Sequence, residues 1–141
     1  MLELTRKAML SGLLAGAVAG CARSAPGLKI GFIVKNPEEP WFQDEWRFAD
    51  LAARQNGFTV LKIGATDGDR VLTAIDNLAA KNAAGFIICA PDTRLGPAIE
   101  QRARVNDLKV MSVDDRLVDA RGRPIENIPH VGISAADIGA L

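Results

Sequence analysis

The chain has 141 residues, 48% of them hydrophobic, with basic and acidic side chains in equal number and a formal charge of zero. That is material for about one domain with a real core. Basic residues are interspersed with acids, aromatics are few and tyrosine is absent, which excludes a polyanion-binding stripe as the organising feature.

Arg6 and Lys7 precede the apolar run AMLSGLLAGAVAG, which is too short to span a bilayer and is followed by small residues and Cys21. This is the layout of an export signal over 1–20, with 21–27 as a linker, and places the chain in the periplasm or on the outer side of a bacterial membrane. Val18-Ala19-Gly20-Cys21 resembles the lipobox of bacterial lipoproteins, in which the cysteine becomes the lipidated first residue. The plainer reading is an ordinary signal with an incidental cysteine. Lipidation at Cys21 is favoured because Arg23 spoils the small-x-small cleavage pattern near Ala25. TRKAML is a weak match to a twin-arginine signal, with Lys7 in the second arginine's place. Removing 1–20 takes away Glu3, Arg6 and Lys7 and leaves the remainder near neutral.

From residue 28 a unit repeats. Apolar, β-branched runs LKIGFIVK, FTVLKIG, GFIICA, KVMSVD and HVGIS begin near 28, 58, 85, 109 and 130, and amphipathic segments separate the first four. The first segment places Phe42, Trp46, Ala49 and Ala53 on one helical face and stops at Gly57. The second does the same with Val71, Leu72, Ile75, Leu78 and Ala79. LGPAIEQRARVND supplies a shorter third helix. Alternation of this kind predicts a doubly wound α/β domain with a parallel sheet of order 2-1-3-4-5, covered on both faces. Cys89, in GFIICA, reads as a small buried hydrophobe, since the single histidine, His130, lies far away in an apolar context.

Ligands of such sheets bind beyond the carboxyl ends of the strands, where strand order reverses. Lys35 closes the first run, with Glu38 and Glu39 behind it. Asp92 follows the third run, and Asp114 and Asp115 follow the fourth. One cation and several acids therefore converge on one mouth, with Trp41 at its lip. This chemistry suits a neutral polyol: carboxylates accept from hydroxyls, a lysine donates to them, and an aromatic ring covers the C–H face. Charge-assisted bonds of this kind contribute about 1.5–3 kcal/mol each. Pro37 and Pro40 restrict the loop and lower the cost of ordering it. A phosphate fits poorly, because no glycine-rich cradle follows the first run.

Structural roles compete for some of these residues. Glu38, Glu39 and Asp44 can serve a helix N-terminus, and Glu38 is assigned there. Trp46 and Phe48 are read as core, and Asp67 and Asp92 can be turn or capping residues. Lys35 and the Asp114-Asp115 pair are best explained by a site.

KNPEEPWF (35–42), with VLKI, GFIICAPD, LGPAI and VDD, resembles the amino-terminal lobe of the L-arabinose-binding branch of the type I periplasmic-binding-protein superfamily, from about Leu28 to Gly139. The resemblance covers loops as well as strands. It implies a sugar-binding lobe over 28–133 in which Lys35, Glu39 and Asp115 bond sugar hydroxyls, Asp115 at the anomeric end. Trp41 and Phe42 would pack on the ring, Asp114 would support, and Cys89 and Asp92 would lie near the pocket. Ile133 stands where the family places a methionine, which keeps an apolar wall. The family also implies no cofactor, no catalytic step, and delivery of L-arabinose or a related monosaccharide to an ABC permease. Ser134 and Asp137 read as the capped start of a crossover helix over 134–141 toward a second lobe. The chain is accordingly expected to be a truncated copy that binds sugar weakly by itself.

Two readings from other classes are weighed against this one. A receiver-like signalling domain also has five strands, acids and a lysine at one mouth, but there the acids follow the first strand and the lysine the last. A small α/β enzyme with Asp114 or Asp115 as general base lacks a recognisable nucleophile, metal cluster or cofactor loop. A sugar-responsive repressor would need a helix-turn-helix where this chain has its export signal.

Overall fold

The computed structural model describes residues 27–132 together with 139 and 140. The expected export signal, Cys21, Ile133 and, apart from 139 and 140, the expected crossover segment lie outside these residues. Five strands and three helices alternate: β1 (Lys29–Val34), α1 (Pro40–Asn56), β2 (Thr59–Gly64), α2 (Gly68–Ala80), β3 (Gly85–Cys89), α3 (Gly96–Val105), β4 (Lys109–Val113) and β5 (His130–Val131), with a single 3₁₀ turn at Thr93–Leu95 before α3. The sheet order is β2-β1-β3-β4-β5 and every neighbouring pair is parallel, as the sequence pattern predicts.

Local chemistry sets the boundaries. Pro40 opens α1, where its missing N–H costs nothing and its fixed φ already suits a helix. Gly57, at φ 72°, ends α1 in the left-handed conformation and returns its N–H to Ala53 O. Asp67 caps α2 by accepting from the Arg70 N–H. The segment between β4 and β5 forms no helix and contains one antiparallel bridge, Val118 to Pro124.

Alternation along the strands sends side chains to two faces. Ile33 and Ile88 pack with Val71, Ile75 and Leu78 of α2 and Ile99 of α3, all of them fully buried. On the other face Phe32, Val34 and Cys89 pack with Phe42 of α1, bordered by Trp46 and Ala49. Burial of each large side chain contributes about 1.5–3 kcal/mol. Because α1 lies on one face and α2 and α3 on the other, the winding reverses between β1 and β3, and the mouth at their carboxyl ends is the switch point. An apolar groove of about 420 Å³ lies toward the opposite strand ends, lined by Ile30, Gly85, Ile87, Met111 and Pro129 among others.

One sequence expectation needs correction. Phe48, read as core, is 59% exposed, and the Arg47 guanidinium lies 4.7 Å from its ring centroid. Six residues from Phe42, it is rotated well away from the buried face of α1. The fifth apolar run forms the expected edge strand, His130–Val131 among the described residues, paired with Ser112 and Val113.

Candidate functional site

The loop after β1 is held in place by its own contacts. Pro37 packs so closely on the end of β2 that a Cβ on Gly64 would stand 2.6 Å from its Cγ. The Glu39 N–H donates to Asn36 O at 3.0 Å, and Gln43 Nε2 donates to Pro37 O. Glu39 occupies the N-cap position of α1 without a side-chain capping bond; its Oε1 instead accepts from Asn36 Nδ2 at 2.9 Å. Its carboxylate is exposed and beside the mouth, and Glu38 is exposed as well.

Lys35 donates from Nζ to Asp115 Oδ2 at 2.5 Å, with the two side chains 30% and 45% exposed. The bond to Asp115 raises the Lys35 pKa above its ordinary value, against the opposing effect of burial. A half-exposed ion pair of this kind contributes only about 0–1 kcal/mol to stability. Both groups keep bonding capacity: the ammonium has three donors and the carboxylate about four lone-pair directions.

Asp114, next in the chain, adopts φ 61°, the left-handed region that Asp tolerates better than most residues. Its N–H donates to Val131 O at 3.0 Å. This turn sends the two neighbouring carboxylates to different partners. Asp115 meets Lys35, while Asp114 Oδ2 accepts the indole N–H of Trp41 at 3.0 Å. Trp41 is 52% exposed, so its edge is pinned while much of its ring stays open. Phe42, by contrast, is 3% exposed and packs in the core beside Cys89, so Trp41 is the ring open at the lip. Trp46 donates to Phe32 O at 3.2 Å and is partly buried, in keeping with its core assignment.

Cys89 ends β3 fully buried, its Sγ 3.9 Å from Asp115 Oδ2. Burial pushes its thiol up to about 12, so it is neutral floor beneath the mouth rather than a nucleophile. Asp92 caps the turn before α3 and pairs with Arg94, Oδ2 to Nη2 2.9 Å. The bonds from Arg94 hold its carboxyl below the usual range. Asp92 thus takes the capping role that the sequence reading left open.

Sequence reasoning missed Glu45. It lies on α1 one turn after Trp41, and its Oε2 is buried without a hydrogen-bond partner among the described residues. Burial, then contact with Asp114, pushes its carboxyl up to about 7. Its helical phase, beside Phe42 and Ala49, was a signal available from spacing alone.

The geometry at the mouth is therefore an ammonium and a carboxylate in contact, a second carboxylate bound to an indole, an exposed glutamate and an open aromatic ring. No group of three or more potential metal-ligating side chains occurs among the described residues.

Comparison with known proteins gives a consistent result. Residues 27–140 match the family model for periplasmic binding proteins and the sugar-binding domain of the LacI family. The chain is 50% identical over 130 residues to the L-arabinose-binding periplasmic protein of Escherichia coli, covering 92% of this chain and 40% of that protein. It is 49% identical over 137 residues to the ABC transporter L-arabinose-binding periplasmic protein of Azospirillum brasilense, covering 96% of this chain and 41% of the relative. The chain thus spans about two-fifths of the length of the curated relatives it matches. Among solved structures, a carbohydrate transporter solute-binding protein from Chloroflexus aurantiacus in complex with D-glucose superposes with a TM-score of 0.64 at 28% identity, covering 82% of this chain and 33% of that one. The chain belongs to the family of periplasmic binding proteins and LacI-type sugar-binding domains.

Proposed function

We propose that this chain forms the amino-terminal lobe, over 28–133, of the solute-binding component of an ABC-type sugar importer, binding L-arabinose or a similar monosaccharide outside the cytoplasmic membrane. The observation that carries the reading is the Lys35–Asp115 pair beside the open face of Trp41 at the switch point. An ammonium and a carboxylate in contact, each with bonding capacity to spare, can bond adjacent hydroxyls while an indole covers the C–H face of a sugar. Glu39 adds an acceptor, and Asp114 supports the ring that does the covering. The printed names of the relatives support the same ligand class.

Binding would proceed without a chemical step. A second lobe would close on the sugar, exclude water and supply the remaining contacts before delivery to a permease in the cytoplasmic membrane. Export through 1–20, with a lipid anchor on Cys21, would keep the protein near that permease.

The test is an NMR titration of the isotope-labelled chain with L-arabinose, which detects even weak binding. Saturable shifts of the Trp41 indole and of the Lys35 and Asp115 amides are the expected result. Absence of saturable shifts at these positions up to high millimolar sugar overturns the reading, and turnover of the sugar points to an enzyme instead.

A further inference from the structure

Glu45 projects from α1 toward the place where Trp41 and Asp114 meet. It lies one turn after Trp41, whose indole N–H is bound to Asp114 Oδ2 at 3.0 Å. Its buried Oε2 has no hydrogen-bond partner among the described residues, and Asp114 is near enough to act on its carboxyl. Two carboxylates so placed repel unless a proton lies between them, and that proton converts repulsion into a short charge-assisted bond. Asp114 is constrained against retreat. Its backbone sits at φ 61°, its N–H is bound to Val131 O at 3.0 Å, and its Oδ2 accepts from Trp41 at 3.0 Å.

The surrounding charges are few. Lys35, at the end of β1, favours the ionised form of Glu45, as does the Trp41 indole N–H on its own helix. Asp114, at the end of β4, favours the protonated form, and burial adds to it more strongly. The Cys89 thiol at the end of β3 is neutral, since burial pushes it up to about 12.

We infer that Glu45 is a positioning residue for the mouth, its protonated carboxyl donating to Asp114 and thereby holding Asp114 against the Trp41 indole. With the proton in place, Asp114 is held between the Glu45 O–H and the Trp41 N–H, and the ring is fixed at the lip. When the proton leaves to solvent, the two acids repel, Asp114 shifts, and the indole loses its anchor. The consequence for sugar rests on the proposed function: a fixed ring covers the sugar face, and a loosened one covers it less well.

The device can be tested without sugar. Carbon-13 NMR of the Glu- and Asp-labelled chain follows the Glu45 carboxyl from about pH 4 to about pH 9, while the Trp41 indole N–H is followed in the same samples. The expected result is a Glu45 midpoint far above the ordinary glutamate range, with the indole resonance moving at the same midpoint. In Glu45→Gln, whose amide can donate to Asp114 at any pH, the indole should keep its low-pH position throughout. An ordinary Glu45 midpoint, or an indole resonance indifferent to it, overturns the inference. An L-arabinose titration at both ends of the pH range then separates the two ideas. Weaker binding at high pH in the native chain, but not in Glu45→Gln, supports both. Coupled titration without any sugar shifts sustains the positioning role and rejects the sugar reading.

Discussion

Lys35 Nζ stands 2.5 Å from Asp115 Oδ2 across 80 residues of sequence, joining the end of β1 to the end of β4 over the intervening strand β3. The pair is partly exposed, so its value to the fold is small. Lys35→Met should lower stability by no more than about 1 kcal/mol. Loss of one charge-assisted bond of about 1.5–3 kcal/mol should weaken L-arabinose binding by roughly ten- to a hundredfold. Urea denaturation and the NMR titration measure the two effects separately. A large loss of stability with unchanged binding would assign the pair to structure.

Glu45 makes stability depend on pH in a defined direction. Its carboxyl is raised from 4.5 to about 7 in the folded protein. Between those values the folded state holds the proton more tightly than the unfolded chain, so the Glu45 contribution is full below the lower value and is lost as pH rises through the upper one. Solvent screening of this half-buried group limits the effect to about 1 kcal/mol. Glu45→Gln should therefore gain stability over the native chain between about pH 5 and about pH 8. Urea midpoints of the two proteins across that range give the difference; parallel curves would remove Glu45 from the account.

Cys89 should resist modification. It is fully buried, and burial pushes its thiol up to about 12, so little thiolate exists and little reagent reaches it. In a Cys21→Ser background, a disulfide reagent at about pH 8 should react at the rate of unfolding, and promptly in strong denaturant. Fast reaction of the native protein would mean that the floor of the mouth opens readily.

Gly85 is required by the neighbouring backbone. A Cβ there would stand 2.4 Å from Lys109 O on β4, an atom that cannot rotate aside. Gly85→Ala should cost about 3 kcal/mol, at the upper end for overpacking, by forcing β3 and β4 apart. The urea midpoint should fall without a change of slope. An unchanged midpoint would show that the β3–β4 register yields at little cost.

Much of the architecture was legible in the residues. Continuous apolar runs alternating with helical periodicity specify a parallel sheet covered on two faces, and Pro40 and Gly57 mark the ends of α1, because these signals are local. Strand ends followed by Lys35, Asp92 and Asp114-Asp115 locate the mouth for the same reason. The partners of those residues were not legible. Adjacent acids in the sequence diverge to Lys35 and Trp41 because Asp114 turns left-handed, while Asp92 is taken up by its own turn and Arg94. Of the adjacent rings Trp41 and Phe42, the angle at which α1 meets the sheet buries one and opens the other. The same docking brings Glu45 against Asp114, a contact between a helix and a distant strand end that no local pattern encodes. Sequence by itself determined which elements form and where the mouth lies, since both follow from short-range periodicity and chain order. Tertiary structure alone decided which side chains meet there, since that depends on how α1 is rotated and set against the ends of β1, β3 and β4.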